Sequence, residues 1–201
     1  FVLPGTAVAA EHKPSKLKRS KNRFTGAEET GFEISPLTGK ITSLSIGGHQ
    51  VLSSPVALSL YRPATENDLA WGGKNRTWVE SGIDSISQKM TSLKVKNNTV
   101  YVTSQILGRS GSVVANATYA YSIDKDGQLA IDCDFIPDTA VIRNMPRLGL
   151  TFTVPEAIAS SVTYLGRSGE TYADRKAAGR IGLQTVKPVD DFYIYNKPSA
   201  A

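Results

Sequence analysis

Apolar and polar positions alternate with a period of two over much of this chain, as in a β-strand that buries one face. The clearest run is residues 129–135, whose apolar residues, Cys133 among them, alternate with smaller or acidic ones. Residues 119–123 alternate in the same way, and residues 124–127 between the two runs read Asp-Lys-Asp-Gly, a typical turn composition. We therefore predict a hairpin made of these two runs, with Cys133 as a thiol in the core.

Further strands follow from the same pattern. Turn residues separate two more pairs of alternating runs: Gly47-Gly48 between 41–46 and 50–52, and Asn97-Asn98 between 93–96 and 100–106. Residues 55–61 and 148–154 are also strand-like, and a single helical turn is predicted at 174–178. Because hairpins dominate and no long helical period occurs, we predict an all-β fold, an antiparallel β-sandwich.

Charge divides the chain unevenly. Residues 26–201 hold equal numbers of acidic and basic groups, so the net charge of +5 comes from residues 1–25. That segment has Glu11 and six cations: Lys13, Lys16, Lys18, Arg19, Lys21 and Arg23. We expect residues 1–30 to be the end of a preceding domain plus a basic linker, and 31–201 to be an incomplete sandwich domain. Cations on an arm do not make the basic folded face that nucleic acid needs, and no apolar run approaches the roughly 20 residues of a membrane span. Neither partner is expected.

The sequence supplies no complete catalytic constellation. Neither of the two histidines, His12 and His49, is placed to serve a nucleophile, and a lone cysteine cannot form an intrachain disulfide. Asp124-x-Asp126-Gly127 opens like a calcium loop, but later positions lack the required carboxylates, so we expect no metal and no cofactor.

The segment from Arg62 to Asp68 is unusual for a simple connection, because it combines a cation, two acids, an amide and a proline, with Trp71 close behind. This composition suggests a shaped loop that meets a partner surface or a sugar. Two carboxylate pairs could serve glycoside chemistry. Asp132 and Asp134 are expected on the solvent side of a strand. Arg62 should lower the pKa of Glu66 and Asp68, which favours a structural polar network.

Four segments, in order, resemble the C-terminal domain of family 2 β-galactosidases. Residues 62–68 are similar to its R-x-P-x-D-N-D segment, with the proline displaced by one position, and residues 78–80 to its next landmark. Residues 145–149 resemble its P-R-x-G strand entry. Residues 164–175 resemble G-x-G-P-x-E-N-Y-x-D-R with one residue missing, Gly169 replacing the proline and Thr171 the asparagine. The resemblance runs from about Phe32 to the end of the chain.

The resemblance implies a galactose-mutarotase-like sandwich that packs on a TIM barrel carrying both catalytic glutamates, so no catalytic residue is expected in this chain. Arg62, Glu66, Asn67 and Asp68 would then form a loop facing the barrel, with Trp71 or Trp78 as its apolar anchor. A second polar cluster would contain Glu170, Tyr172, Asp174 and Arg175. The expected partners are the remainder of the β-galactosidase chain, a β-galactoside substrate in the whole enzyme, and further copies in a homo-oligomer.

Two further expectations accompany this interpretation. The family domain continues for several strands beyond this point, so unpaired sheet edges should promote dimers or larger assemblies. A location in bacterial cytoplasm or periplasm is compatible with the sequence. The alternative function is a free-standing carbohydrate-binding sandwich, which would present exposed aromatic residues on one sheet face.

Overall fold

A computed structural model describes residues 12–69, 74–167 and 181–187, and it confirms the all-β antiparallel sandwich. A five-stranded sheet has the order β1-β2-β3-β4-β5, and a four-stranded sheet has the order β10-β9-β8-β7. Two smaller pairs, β6 with β11 and β12 with β13, complete the described sheets. The strands are β1 (Lys18–Ser20), β2 (Arg23–Thr25), β3 (Gly31–Ile34), β4 (Ile41–Ile46), β5 (His49–Gln50), β6 (Ala57–Ser59), β7 (Ser87–Lys96), β8 (Thr99–Leu107), β9 (Val113–Ile123), β10 (Leu129–Pro137), β11 (Gly149–Thr151), β12 (Val162–Arg167) and β13 (Ile181–Val186).

The core lies between the two larger sheets. Phe24 and Phe32 of the five-stranded sheet stack with ring centroids 5.4 Å apart, and Phe32 lies 5.6 Å from the ring of Tyr121 in the four-stranded sheet. All three side chains are buried. This aromatic group therefore joins the two layers, as expected when the inner faces of a sandwich interdigitate.

All three predicted hairpins are confirmed, as β4–β5, β7–β8 and β9–β10. Asn97 and Asn98 have φ angles of 51° and 58°, the backbone that a two-residue turn with matching twist requires. In the turn after β9, the Asp124 carboxylate accepts backbone hydrogen bonds from Asp126 at 2.9 Å and Gln128 at 2.8 Å. The prediction that residues 124–127 form a hairpin turn is therefore confirmed.

Residues 18–25 correct the expectation that the basic segment before residue 31 is a linker, because they form the first two strands. Lys18–Ser20 and Arg23–Thr25 form a hairpin that extends the five-stranded sheet, and Phe24 is fully buried. Arg19 lies over the Phe24 ring at 5.4 Å and stays exposed. The cations of this hairpin are therefore exposed residues of a strand pair that belongs to the sandwich.

The expectation of a core thiol is wrong. Cys133 is exposed, although it shares the inner face of β10 with Ile131 and Phe135. Both of these neighbours are only half buried. The physical reason is that β9 is the one neighbour of β10 among the described strands, so these strands cover its inner face from one side alone.

Two short helices occupy the region that was predicted to be a loop. They are α1 (Glu66–Leu69) and α2 (Lys74–Glu80), and a short 3₁₀ segment follows later at Glu156–Ile158. Among the described helices none is long and apolar enough to cross a membrane. The predicted turn at 174–178 lies outside the described residues.

Candidate functional site

The Arg62 segment follows buried Leu60 directly. Its polar side chains form hydrogen bonds with one another and with the start of α1. Arg62 Nη1 donates a hydrogen bond to Asp68 Oδ2 at 2.6 Å, and Nη2 donates to Oδ1 at 3.4 Å. The Arg62 side chain is 24% exposed and the Asp68 side chain 14% exposed. The result is a two-point, largely shielded ion pair, the geometry in which arginine binds carboxylates most strongly.

Thr65 and Asp68 cap the start of α1 reciprocally. The Thr65 backbone N–H and hydroxyl both donate to Asp68 Oδ2 at 2.8 Å, and Thr65 Oγ1 accepts the Asp68 backbone N–H at 3.4 Å. This is a capping box with aspartate in place of glutamate, and it satisfies donors that a helix start otherwise leaves unpaired. Asp68 therefore holds the arginine and the helix start at once.

The Trp78 ring packs against the guanidinium group of Arg62. This ring is 4% exposed, lies 5.4 Å from the Arg62 guanidinium carbon and meets the Tyr61 ring edge-on at 6.4 Å. Trp78 Nε1 donates to Asn144 Oδ1 at 2.6 Å, and the Thr77 hydroxyl donates to the same oxygen at 3.0 Å. Asn144 thus connects α2 to the segment that precedes β11. The Arg62 guanidinium group is held over the buried Trp78 ring.

Its hydrogen bonds keep Asp68 ionised near neutral pH. The hydrogen bond from Arg62 lowers the pKa of Asp68 from 3.8 to about 2, with further lowering from Thr65, while burial opposes the shift. The prediction that Arg62 holds this carboxyl group's pKa down is confirmed for Asp68. A carboxylate that stays ionised cannot act as a general acid near neutral pH, so its role here is structural.

The structure brings together Arg62, Asp68 and Trp78 from the predicted set. Glu66 is exposed on α1, and the Asn67 side chain is outside what the structure describes. Trp71 and the predicted cluster of Glu170, Tyr172, Asp174 and Arg175 also lie outside the described residues. Sequence reasoning missed Thr65, Tyr61 and Asn144. The Thr-x-x-Asp spacing of 65–68 could have revealed the capping box, whereas nothing local marks Asn144 as the acceptor for Trp78.

The other candidate groups do not assemble an accessible catalytic centre. Asp132 and Asp134 are exposed on the edge strand, as expected for the solvent side. Neither histidine was expected to lie beside a nucleophile, but His12 does: Nε2 lies 2.9 Å from Ser122 Oγ, and Nδ1 lies 3.6 Å from Asp124 Oδ2. Ser122 is 6% exposed, so this serine is shielded from any substrate.

His12 instead anchors the N-terminal segment to the end of β9. Ser15 makes the same attachment, since its backbone N–H and its hydroxyl both donate to the carbonyl oxygen of Ile123, at 2.7 and 2.9 Å. Within the described ranges, no three His, Cys, Asp or Glu side chains are grouped in a way that could hold a metal ion.

Residues 26–201 match the family described as beta galactosidase small chain. The chain belongs to this family. The small-chain match confirms the resemblance drawn from the four landmarks, all of which lie inside the matched range. It also begins close to where β2 ends, so the strand pair β1–β2 lies before it.

Relatives named beta-galactosidase are considerably longer than this small-chain sequence. The one from Kluyveromyces lactis is 26% identical over 98% of this chain and 20% of its own length. The one from Pseudoalteromonas haloplanktis is 28% identical over 68% of this chain and 14% of its own length. The one from Priestia megaterium is 24% identical over 98% of this chain and 19% of its own length. The chain therefore spans about a fifth or less of the relatives it matches.

Proposed function

We propose that this chain is the accessory domain of a retaining β-galactosidase, where it shapes one side of the active site and supports assembly. In this proposal both catalytic glutamates lie on a separate TIM-barrel domain. The observation that carries it is the small-chain match over 26–201, combined with beta-galactosidase relatives of which this chain covers 14–20%. At least four fifths of each of these relatives lies outside the part aligned with this chain, which is enough for a separate catalytic domain.

The chemistry of the described carboxylates supports a non-catalytic role. Retaining glycosidases use one carboxylic acid as proton donor and one carboxylate as nucleophile, about 5 Å apart. Asp68 is held as an anion by Arg62 and Thr65, while Asp132 and Asp134 are exposed on an edge strand. The environment of Asp68 therefore disfavours the protonated carboxyl group that the leaving-group oxygen needs.

The surface of α1 is the proposed contact with the rest of the enzyme. Arg62, Thr65 and Asp68 fix this helix from the inside, whereas Glu66 is exposed and Leu69 is 60% exposed. An apolar side chain on a helix whose backbone is already fixed requires little further backbone ordering on docking. From the family resemblance we add Trp71 and the cluster of Glu170, Tyr172, Asp174 and Arg175 to the proposed contact region.

The test compares two exposed leucines in the complete enzyme. Leu69→Asp should lower β-galactosidase activity and weaken assembly, while Leu37→Asp, at a leucine that is 79% exposed, should change neither. Both substitutions should leave the melting temperature of the 201-residue chain close to that of the unmodified chain. Normal activity and assembly of the Leu69→Asp enzyme would contradict docking through α1.

A second measurement addresses catalysis. The 201-residue chain alone should not hydrolyse a chromogenic β-galactoside, whereas the complete enzyme should. Turnover by the purified chain would show that the reactive groups are here and not on a separate domain.

The alternative, a free-standing carbohydrate-binding module, requires aromatic rings exposed on one sheet face. On the outer face of the four-stranded sheet the structure places Tyr101, which is 40% exposed. Among the described residues of this face Tyr101 is the one exposed aromatic ring. One ring is a small platform for a sugar, so the accessory role is the better supported of the two. Calorimetric titration of the 201-residue chain with galactosides distinguishes them, and we expect no heat of binding.

A further inference from the structure

The two edges of the four-stranded sheet carry opposite charge on the same face. Register across the sheet aligns Asp132 of β10 with Ala120, Tyr101 and finally Lys94 of β7. These side chains share the outer face because residues in one transverse row of a sheet point the same way. The outer face thus runs from acidic at β10 to basic at β7.

The β10 edge is regular and only partly covered. Its pairing with β9 continues from Leu129 to Pro137 without a register shift, and among the described strands β9 is its one neighbour. Outward-pointing Asp132 and Asp134 are exposed, as is inward-pointing Cys133. A long regular edge presents unpaired backbone groups to which another strand can bond.

The β7 edge offers the complementary pattern. Its register shifts between Met90 and Ser92, and the regular part beyond this bulge is residues 93–96. Leu93 packs against the core and Val95 points to the same inner face with 44% exposure. Lys94 and Lys96 alternate with them on the outer face and are exposed.

We propose that β10 of one copy pairs with β7 of a second copy, which would join the two sheets edge to edge. The register that matches both faces places Asp132 opposite Lys96, Cys133 opposite Val95, Asp134 opposite Lys94 and Phe135 opposite Leu93. Acidic groups then meet lysines on the outer face, and apolar groups meet on the inner face. Directly opposed pairs of this kind, acidic against basic and apolar against apolar, stabilise a sheet.

The strand directions allow this arrangement without any reversal. Successive strands from β7 to β10 are antiparallel, so β7 and β10 of one copy run in opposite directions. Translating a copy along the sheet therefore brings β10 beside β7 in antiparallel orientation, with inner faces on the same side.

Charge selects this pairing over a symmetric one. An antiparallel pair of two β10 strands in full register would place Asp132 opposite Asp134 of the other copy, and two β7 edges would bring Lys94 and Lys96 together. Like charges directly opposite each other destabilise a sheet. The contact is therefore head to tail, and it closes into a ring or continues as a chain of copies. It is independent of the proposed role in a galactosidase.

A reciprocal charge exchange tests the proposal by sedimentation velocity of the 201-residue chain. The unmodified chain should show a mass that rises with concentration and falls with added salt. The double variants Asp132→Lys/Asp134→Lys and Lys94→Glu/Lys96→Glu should each be monomeric, because each carries like charges on both edges. An equimolar mixture of the two should associate again. A monomeric mixture, or variants that associate as strongly as the unmodified chain, would overturn the proposal.

A disulfide trap gives a readout that does not depend on charge. Cys133 is the single cysteine, and in this register it faces Val95 of the next copy. Val95→Cys should form intermolecular disulfides rapidly under mild oxidation, because the bond requires Cα atoms within about 7 Å. Leu37→Cys provides the matched control at another exposed apolar position, and adding Cys133→Ser to Val95→Cys should abolish the rapid reaction. Cross-linking of Val95→Cys no faster than that of Leu37→Cys would contradict the register.

Discussion

The guanidinium group of Arg62 lies between two partners, the carboxylate of Asp68 at 2.6 Å and the buried ring of Trp78 at 5.4 Å. Arg62→Ala removes both contacts and leaves a mostly buried carboxylate without its cation. We expect the free energy of unfolding to fall by about 2–3 kcal/mol. Arg62→Lys should recover part of this, since lysine keeps the charge but not the planar fork. Urea unfolding of the three proteins measures the effect.

The matched control is Arg76→Ala. Arg76 also pairs with an acid, Glu80 at 2.7 Å, but the two side chains are 82% and 58% exposed. Exposed pairs of this spacing contribute below about 0.5 kcal/mol. Equal losses for Arg62→Ala and Arg76→Ala would mean that burial of the first pair does not matter.

Stability should depend on pH through Asp68. Because folding lowers the pKa of Asp68 from 3.8 to about 2, the folded state favours the ionised form. The corresponding stabilisation, about 2 kcal/mol, is present above pH 4 and is lost as the pH falls from about 4 to about 2. Asp68→Asn should flatten the stability curve in this window. Arg62→Ala should flatten it too, because the hydrogen bond from Arg62 is the largest cause of the lowered pKa. A wild-type curve as flat as that of Asp68→Asn would refute the assignment.

A double-mutant cycle measures the coupling energy between Trp78 and Asn144, which share a hydrogen bond. Asn144→Ala leaves Trp78 Nε1 without its acceptor at a site where the ring is 4% exposed, so we expect a loss of about 1–3 kcal/mol. Asn144→Asp retains an acceptor oxygen and should lose less. In a Trp78→Phe background, which lacks the donor, Asn144→Ala should cost markedly less. Additive losses would show that the two residues do not interact.

Local signals account for what the sequence predicted well. The hairpin at Asn97-Asn98 follows from residues that tolerate positive φ between two alternating runs, and the turn at Asp124 follows from a side chain that bonds to its own backbone. The Arg62–Asp68 pair could also be predicted from the sequence, since both residues lie in one short segment. In each case the partners are separated by a few positions, so composition alone brings them together.

Contacts across the chain explain what the sequence did not reveal. Asn144 and Trp78 are 66 positions apart, and only the packing of α2 makes them neighbours. The alternation around Cys133 identified its face correctly, but coverage of that face depends on a neighbouring strand that the pattern does not encode. Strands β1 and β2 contain one fully buried apolar residue, Phe24, among exposed cations, which resembles a linker in composition. Helices as short as α1 contain too few residues to show a period.

Two glycines in the turns on either side of β4 should respond differently to the same substitution. Gly39 and Gly47 have φ angles of +73° and +55°, so alanine at either position adopts a strained left-handed backbone, at about 1–2 kcal/mol. A Cβ at Gly39 would also lie 2.7 Å from Val102 and 2.9 Å from the Ser104 hydroxyl, whereas a Cβ at Gly47 would meet nothing within 4 Å. Gly39→Ala should therefore lose about 1–3 kcal/mol more than Gly47→Ala, because the turn before β4 packs directly on β8. Since both variants change the unfolded chain alike, the difference between their urea unfolding energies isolates this contact between the two sheets, and equal losses would show that the turn does not approach β8 so closely.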